Sequence, residues 1–494
     1  MQTRRTFLRT GALTAGGAAL ALSPGAALAA GRSRTGFGPL VPDPAGLLDL
    51  PRGFGYRVVQ TIEDKLSSGA PVPEDFDGMM AIAAPRNHTL LVRNHELSAR
   101  DASKNAVPQV NPYAADAPGG TTALLVGPSG RLVRSFVSSS GSLNNCAGGG
   151  TPWGTWVTCE EDQTTNHGYA FEVDPRRPES DISKTPIRDM GFFSHEAIDI
   201  DPRTGIVYLT EDDFRGDQVA PEEEVPGTTR SSFLYRYLPD NRAQRPGALQ
   251  EGGRLQAMAI RGRPQFNADL GYTRERFRVA WVDVSPEAPH DEALARGAAR
   301  FQRLEGCHFA GGAFWFDDTS GGRERQGQVF RLTPSGDPQG GGVDRLELYL
   351  EAERKQQLDS PDNLIVTPWG DVWVAEDGDG FQRVMGITPD GRTYSFARNR
   401  LLGLDEGTSS EFAGPCFSPD GRTFFVNVQA PGHTFAITGP FPRQDAGRTR
   451  AMAASEPNHR FAPVVSETLR EQAVKSGVST YEAAAFDRLG VSLA

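Results

Sequence analysis

One layout recurs along this chain and limits its fold more than any other feature: apolar strand, turn, apolar strand, polar group. "AIDIDPRTGIVYLTEDD" (Ala197 to Asp213) shows it most plainly. Ile198 and Ile200 alternate with Asp199 and Asp201. Pro202 and Gly205 make the turn, and Val207 and Leu209 lead up to Glu211, Asp212 and Asp213. "LIVTPWGDVWVAEDGDG" (Leu364 to Gly380) repeats the layout and ends in Glu376 and Asp377, and "PCFSPDGRTFFVNVQ" (Pro415 to Gln429) ends near Asn427. "TLLVRNHE" (Thr89 to Glu96) and "TWVTCEE" (Thr155 to Glu161) carry the second strand alone. Alternation with period two buries one face of a strand, and Asp-Pro or Pro-Asp-Gly turns send the chain back beside itself.

Units recurring about every 50 to 65 residues, with one wider gap, predict an all-β fold, a β-propeller with four strands per blade. The 56 glycines and 36 prolines among 494 residues fit many short strands joined by turns. The strands end alike, at Asn94, Cys159, Glu211, Glu376 and Asn427, with Asp317 in "FWFDD" as a sixth. Equivalent strand ends of a propeller meet at the mouth of its central channel, so these polar groups are expected to form a ring. Taken singly, each acid is a plain turn residue; the shared offset is what argues for the ring.

"TRRTFLR" (Thr3 to Arg9), an Ala/Gly/Leu-rich stretch and "ALA" (Ala27 to Ala29) read as a twin-arginine signal peptide over 1–29. The expected location is periplasmic or secreted, with the twin-arginine export machinery as a partner. That route carries folded proteins, which suits loading a cofactor before export. An extended lead-in over 30–51, the propeller over 52–440 and a C-terminal extension over 441–494 complete the expected organisation. Within the extension, "SETLREQAVKSGVSTYEAAAFDRLGV" (Ser466 to Val491) predicts two short helices packed outside the propeller. No later stretch is apolar enough for a stable membrane anchor. The net charge of −11 argues against a nucleic-acid partner and for cations. A monomer is expected.

"GTWVTCEED" (Gly154 to Asp162) sets a cysteine against Glu160, Glu161 and Asp162. Crowded acids repel one another, and a thiolate beside them worsens this unless a cation is bound. Clustered carboxylates serve glycoside hydrolysis, calcium binding or, with a soft ligand, a transition metal. The thiol favours the third, combined with the second. Eight histidines without HExxH, and four cysteines without CxxC, argue against zinc. Cys146, Cys307 and Cys416 read as buried or bridged, with one or two disulfides open to the chain.

"NNCAGGGTPWGTWVTCEED" (Asn144 to Asp162), "RNHE" (Arg93 to Glu96), "SHEAIDIDPRTGIVYLTEDD" (Ser194 to Asp213), "SPDNLIVTPWGDVWVAEDGDG" (Ser360 to Gly380) and "GPCFSPDGRTFFVNVQAPG" (Gly414 to Gly432) resemble the PhoX-type alkaline phosphatases over most of the chain. The resemblance implies a six-bladed propeller that hydrolyses phosphate monoesters with two irons and several calcium ions. By motif it implies Cys159 and Glu196 as iron ligands. "RLEG" (Arg303 to Gly306) would supply Glu305 to iron and Arg303 as a catalytic clamp on the substrate's phosphoryl group. Glu160, Glu161, Glu211, Asp212, Glu376 and Asp377 form the pool for calcium, and Asn94 is a further expected substrate contact. His95 and His195 are candidates to support the metal ligands, or simple turn residues.

Two alternatives stand beside this reading: a calcium-dependent propeller lactonase or esterase, and a non-catalytic, calcium-stabilised binding propeller. Cys159 separates the first from a phosphatase, since a one-calcium lactonase has no use for a thiolate.

Overall fold

The computed structural model describes residues 35–164, 166–213, 231–270, 275–401 and 409–442. The expected signal peptide and the two expected C-terminal helices lie outside these residues. Within them the chain is nearly all strand, with one α-helix, Pro289–Ala295. That helix, termed α1, starts on a proline with Asp291 and Glu292 in its first turn, where acids complement the dipole. No described helix is long and apolar enough to cross a membrane.

The strands fall into six antiparallel groups. The first runs Phe76–Ala84, His88–His95, Gly119–Val126 and Leu132–Ser142. The second has three strands, Asn145–Gly150, Trp156–Glu160 and Ala170–Val173. The third runs from His195–Ile200 through Val207–Glu211 and Leu234–Pro239 to Gly253–Ile260. The fourth opens with Leu304–Ala310 and Ala313–Asp318, and Arg276–Asp283 joins its outer edge to that of the third. The fifth opens with Pro361–Val366 and Val372–Glu376, and the sixth with Phe412–Phe417 and Thr423–Val428. Each first strand neighbours the first strands of the groups before and after it, and the sixth returns to the first. These inner strands close a ring around an axial channel, which is the arrangement of a β-propeller.

The ring is closed by the two ends of the chain. Gly55–Thr61 pairs with His433–Thr438 and completes the sixth group. The lead-in is partly ordered into this scheme: Leu48–Pro51 adds to the fifth group beside Thr393–Asn399, and Leu40–Val41 adds outside it. Phe37, Phe54, Trp373 and Phe396 pack edge-on or tilted among themselves and tie that lead-in to the core. Apolar side chains fill the spaces between successive sheets in separate clusters. All four cysteines are free thiols.

The inner strands pack so closely that small residues are required. A Cβ at Gly149 would lie 1.8 Å from the carbonyl oxygen of Ile198 in the next group, and one at Gly306 would lie 2.4 Å from that of Asp362. Side chains also cover exposed backbone between groups. Asp199 accepts from the N–H of Phe309 at 2.6 Å, and His308 Nδ1 accepts from the N–H of Val366 at 2.8 Å.

Candidate metal centre

The same backbone device is repeated six times at one end of the channel. The residue just after each second strand donates its N–H to the carbonyl of the residue just before that group's inner strand. The pairs are Glu96 to Asp75, Glu161 to Asn144, Asp212 to Ser194, Thr319 to Arg303, Asp377 to Ser360 and Gln429 to Glu411, at 2.9 to 3.3 Å. Four of the acceptor residues hold left-handed backbone: Asp75 (φ 48°), Asn144 (46°), Arg303 (62°) and Ser360 (50°). For Arg303 this conformation is costly, by about 1–3 kcal/mol, and such strain concentrates at functional sites.

Each inner strand then bulges. Register against the second strand slips by one residue between Phe76 and Met79, Asn145 and Gly148, His195 and Ile198, Leu304 and Cys307, Pro361 and Leu364, and Ala413 and Cys416. An extra residue re-aims a side chain. In the first five groups the residue so placed is Asp77, Cys146, Glu196, Glu305 or Asp362.

Two tiers of ligands converge as a result, bulge residues and the residues that follow the second strands, joined by Glu411, which directly precedes the sixth inner strand. Cys146, Glu161 and Glu196 present ligand atoms all within 4.8 Å of one another. So do Glu196, Glu305 and Asp362, and so do Asp77, Glu96 and Glu411. Glu196 belongs to two of the three groups. Arg303 lies against the group that contains Glu305: its Nη2 donates to Asp212 Oδ2 at 2.7 Å and to Glu305 Oε1 at 2.8 Å.

The electrostatics are those of crowded acids. Burial, then the charges of neighbouring carboxylates, pushes Asp77, Glu161, Glu196, Glu305 and Glu411 well above the usual range. Burial raises Glu96 to about 7 and Asp362 to about 8. The Cys146 thiol is driven up by burial and by Glu196 and Glu161. Protons or cations must offset this charge.

The expected site residues divide accordingly. Glu161, Glu196, Asp212 and Glu305 stand in this cluster with Arg303, and Asp377 holds the equivalent position in the fifth group. Glu160, Glu211 and Glu376 stand one residue earlier and are occupied elsewhere. Glu160 accepts from Leu143 N, His167 Nδ1, Gly168 N and Tyr169 N. Glu376 accepts from Asp359 N and from Nε and Nη2 of Arg383, and Glu211 takes Phe233 N, Tyr235 Oη and His290 Nδ1. Both Cys146 and Cys159 border the apolar cluster with Val157, Phe193 and Ile198; of the two, it is Cys146 whose sulfur lies within 4.8 Å of the ligand atoms of Glu161 and Glu196. Asn94 is fully buried and its polar valences are filled: Nδ2 donates to the carbonyls of Cys146 and Ala147, and Oδ1 accepts from Trp156 Nε1 and Thr158 Oγ1. Asp317, also fully buried, accepts no hydrogen bond at either oxygen.

The sequence reading did not single out Cys146, Asp77, Glu96, Asp362 or Glu411 as ligands. Their common signal is position, next to a strand's first residue or just past a strand's last, and a bulge hides it by breaking the period-two count.

Comparison with known proteins agrees with this architecture. The family model described as alkaline phosphatase PhoX matches residues 35–432. No curated protein matches the sequence at a significant level. Among solved structures, Pseudomonas fluorescens PhoX in complex with vanadate, a transition state analogue, superposes with a TM-score of 0.60 at 18% identity, covering 80% of this chain and 96% of that one. A streptogramin B lyase gives 0.37 at 11% identity, covering 78% and 98%. A periplasmic gluconolactonase of Pseudomonas aeruginosa gives 0.34 at 15%, covering 71% and 78%. Two-tiered acids at one end of a closed ring of inner strands, together with a family match over most of its length, make this chain a member of the alkaline phosphatase PhoX family, phosphoric monoester hydrolases.

Proposed function

We propose that this protein hydrolyses small phosphate monoesters at a cation cluster held by the two tiers of acids, with Arg303 clamping the phosphoryl group. The observation that carries the reading is the set of three ligand groups, each within 4.8 Å, two of which share Glu196 and one of which meets the Arg303 guanidinium through Glu305. The donor types fit metals. Cys146, Glu161 and Glu196 combine a soft sulfur with carboxylates and suit iron, whereas Asp77, Glu96 and Glu411 offer oxygen alone and suit calcium. When bound, such cations offset the acids and polarise phosphoryl oxygens.

The chain's own residues account for the rest. A phosphate dianion is repelled by bare carboxylates, so the acids discriminate against substrate until their charge is balanced. Arg303 is held by Asp212 and Glu305, which keep it charged and aimed into the cluster. Its fork matches two phosphoryl oxygens and follows them as charge builds up in the transition state. A periplasmic or secreted location, reached through the twin-arginine route, belongs to the same proposal and rests on Thr3–Arg9.

Elemental analysis of protein exported by its own host, with an aryl phosphate assay, tests the reading. Iron with calcium and phosphatase activity are expected. Calcium alone with no phosphate-ester turnover would favour the lactonase or binding-module alternative. Arg303→Ala should lower kcat by about 10²–10³ with metal content intact; a normal kcat/KM would take Arg303 out of the reaction.

A further inference from the structure

We infer that Asn94, Thr210 and Asn427 are positioning residues, each fixing the bulge that carries a ring ligand in the next strand group. All three stand at one structural position, the penultimate residue of a second strand. Asn94 and Asn427 reach across to a neighbouring inner strand, and Thr210, which also bonds the N–H and carbonyl of Ala197 in its own inner strand, bridges that strand to the next. Asn94 Nδ2 donates to the carbonyls of Cys146 at 3.0 Å and Ala147 at 2.7 Å. Thr210 Oγ1 donates to the carbonyl of Glu305 at 2.6 Å. Asn427 Nδ2 donates to the carbonyl of Asp77 at 2.6 Å. The recipients are the bulge residues themselves.

The donors are braced in turn. Trp156 Nε1 and Thr158 Oγ1 hold Asn94 Oδ1, and Thr434 Oγ1 donates to Asn427 Oδ1 at 2.7 Å. Arg93, buried and stacked 3.4 Å from the Phe76 ring, donates to Thr434. A bulge leaves its extra residue outside the ladder, so its carbonyl needs another partner and its side chain another constraint. These bonds supply both. The dependence is also directional around the ring: the first group sets the thiol of the second, the third sets Glu305 of the fourth, and the sixth sets Asp77 of the first.

This inference rests on the proposed cation cluster, and its mark is selectivity. Asn94 governs the sulfur ligand and Asn427 an oxygen-only group, so their loss should affect different ions. On chelator-stripped full-length protein, cobalt(II) is titrated by its thiolate charge-transfer absorption and calcium by calorimetry. Asn94→Leu should weaken cobalt binding by about 10–100-fold and spare calcium, and Asn427→Leu should do the reverse. Thr210→Val should lower kcat and Thr210→Ser restore it, a pair that keeps the test open if either leucine variant fails to fold. Equal weakening of both ions in step with lost thermal stability, or no weakening, would overturn the assignment. Should the wild type bind neither ion, the cation reading fails separately. The clamp is then decided by alkylation: iodoacetamide should modify Cys146 faster in Asn94→Leu than in wild type, relative to Cys159, and an unchanged ratio refutes it.

Discussion

A histidine whose Nδ1 accepts a backbone N–H must carry its proton on Nε2, and His308 is in that position against Val366. Burial lowers its pKa from 6.5 to about 4, and protonation would set one N–H against another. The folded state thus favours neutral imidazole. Its contribution to stability is present above pH 6.5 and is lost as the pH falls through about 4. Urea unfolding at several pH values should show that slope in wild type and a shallower one in His308→Gln, whose Oε1 can still accept the N–H; equal slopes would remove His308 from the acid response. Cys146 and Cys159 should part company under substitution. Cys146→Ala should abolish thiolate absorption from bound cobalt or iron. Cys159→Ala should retain it and cost about 1 kcal/mol of stability from the apolar cluster it leaves.

At the scale of strands, the outcome turns on parity. Alternation, Asp-Pro turns and repeat spacing were legible, because each is written in residues next to one another; so were the ring and the strand-end acids Glu161, Asp212 and Asp377, whereas Glu196 and Glu305 came from the family resemblance alone. The bulges were not legible. One extra residue in each inner strand shifts the facing of all that precedes it, and no residue type marks the slip. "TCEE" illustrates the cost. Cys159 looks like the ligand because it stands beside acids in the sequence, but Glu160 turns to hold its own loop and Glu161 meets Cys146 from the neighbouring strand. Asn94, Cys159, Asp317 and Asn427 belong to one register and Glu211 and Glu376 to the next, so the apparent common offset mixed two positions. Where strands from different groups touch, size decides. Gly149→Ala would place a methyl group 1.8 Å from the Ile198 carbonyl oxygen. The backbone must move apart, and a loss of about 3 kcal/mol is expected in chemical unfolding; a wild-type midpoint would show that the second and third inner strands are not so close in solution.

For the whole molecule, one end of the channel is a store of like charge. Ions that bind only the folded ring stabilise it by mass action, so free calcium at about 100 times its Kd should add about 2.7 kcal/mol to the unfolding free energy. Scanning calorimetry with and without chelator would register this as a rise in Tm, and a Tm indifferent to calcium would contradict it. The early strand Gly55–Thr61 is part of the same economy, since it completes the last sheet. Asp77 and Glu96 come from the first group, while Glu411 comes from the sixth. Gln429 Nε2 reaches Glu96 Oε2 across 333 residues, and Asn427 reaches Asp77 across 350. A chain whose sixth group has not yet emerged from the ribosome cannot assemble that pocket, however well its early sheets have formed. An ion lodged between Asp77, Glu96 and Glu411 would therefore be a certificate that the first and last sheets had met.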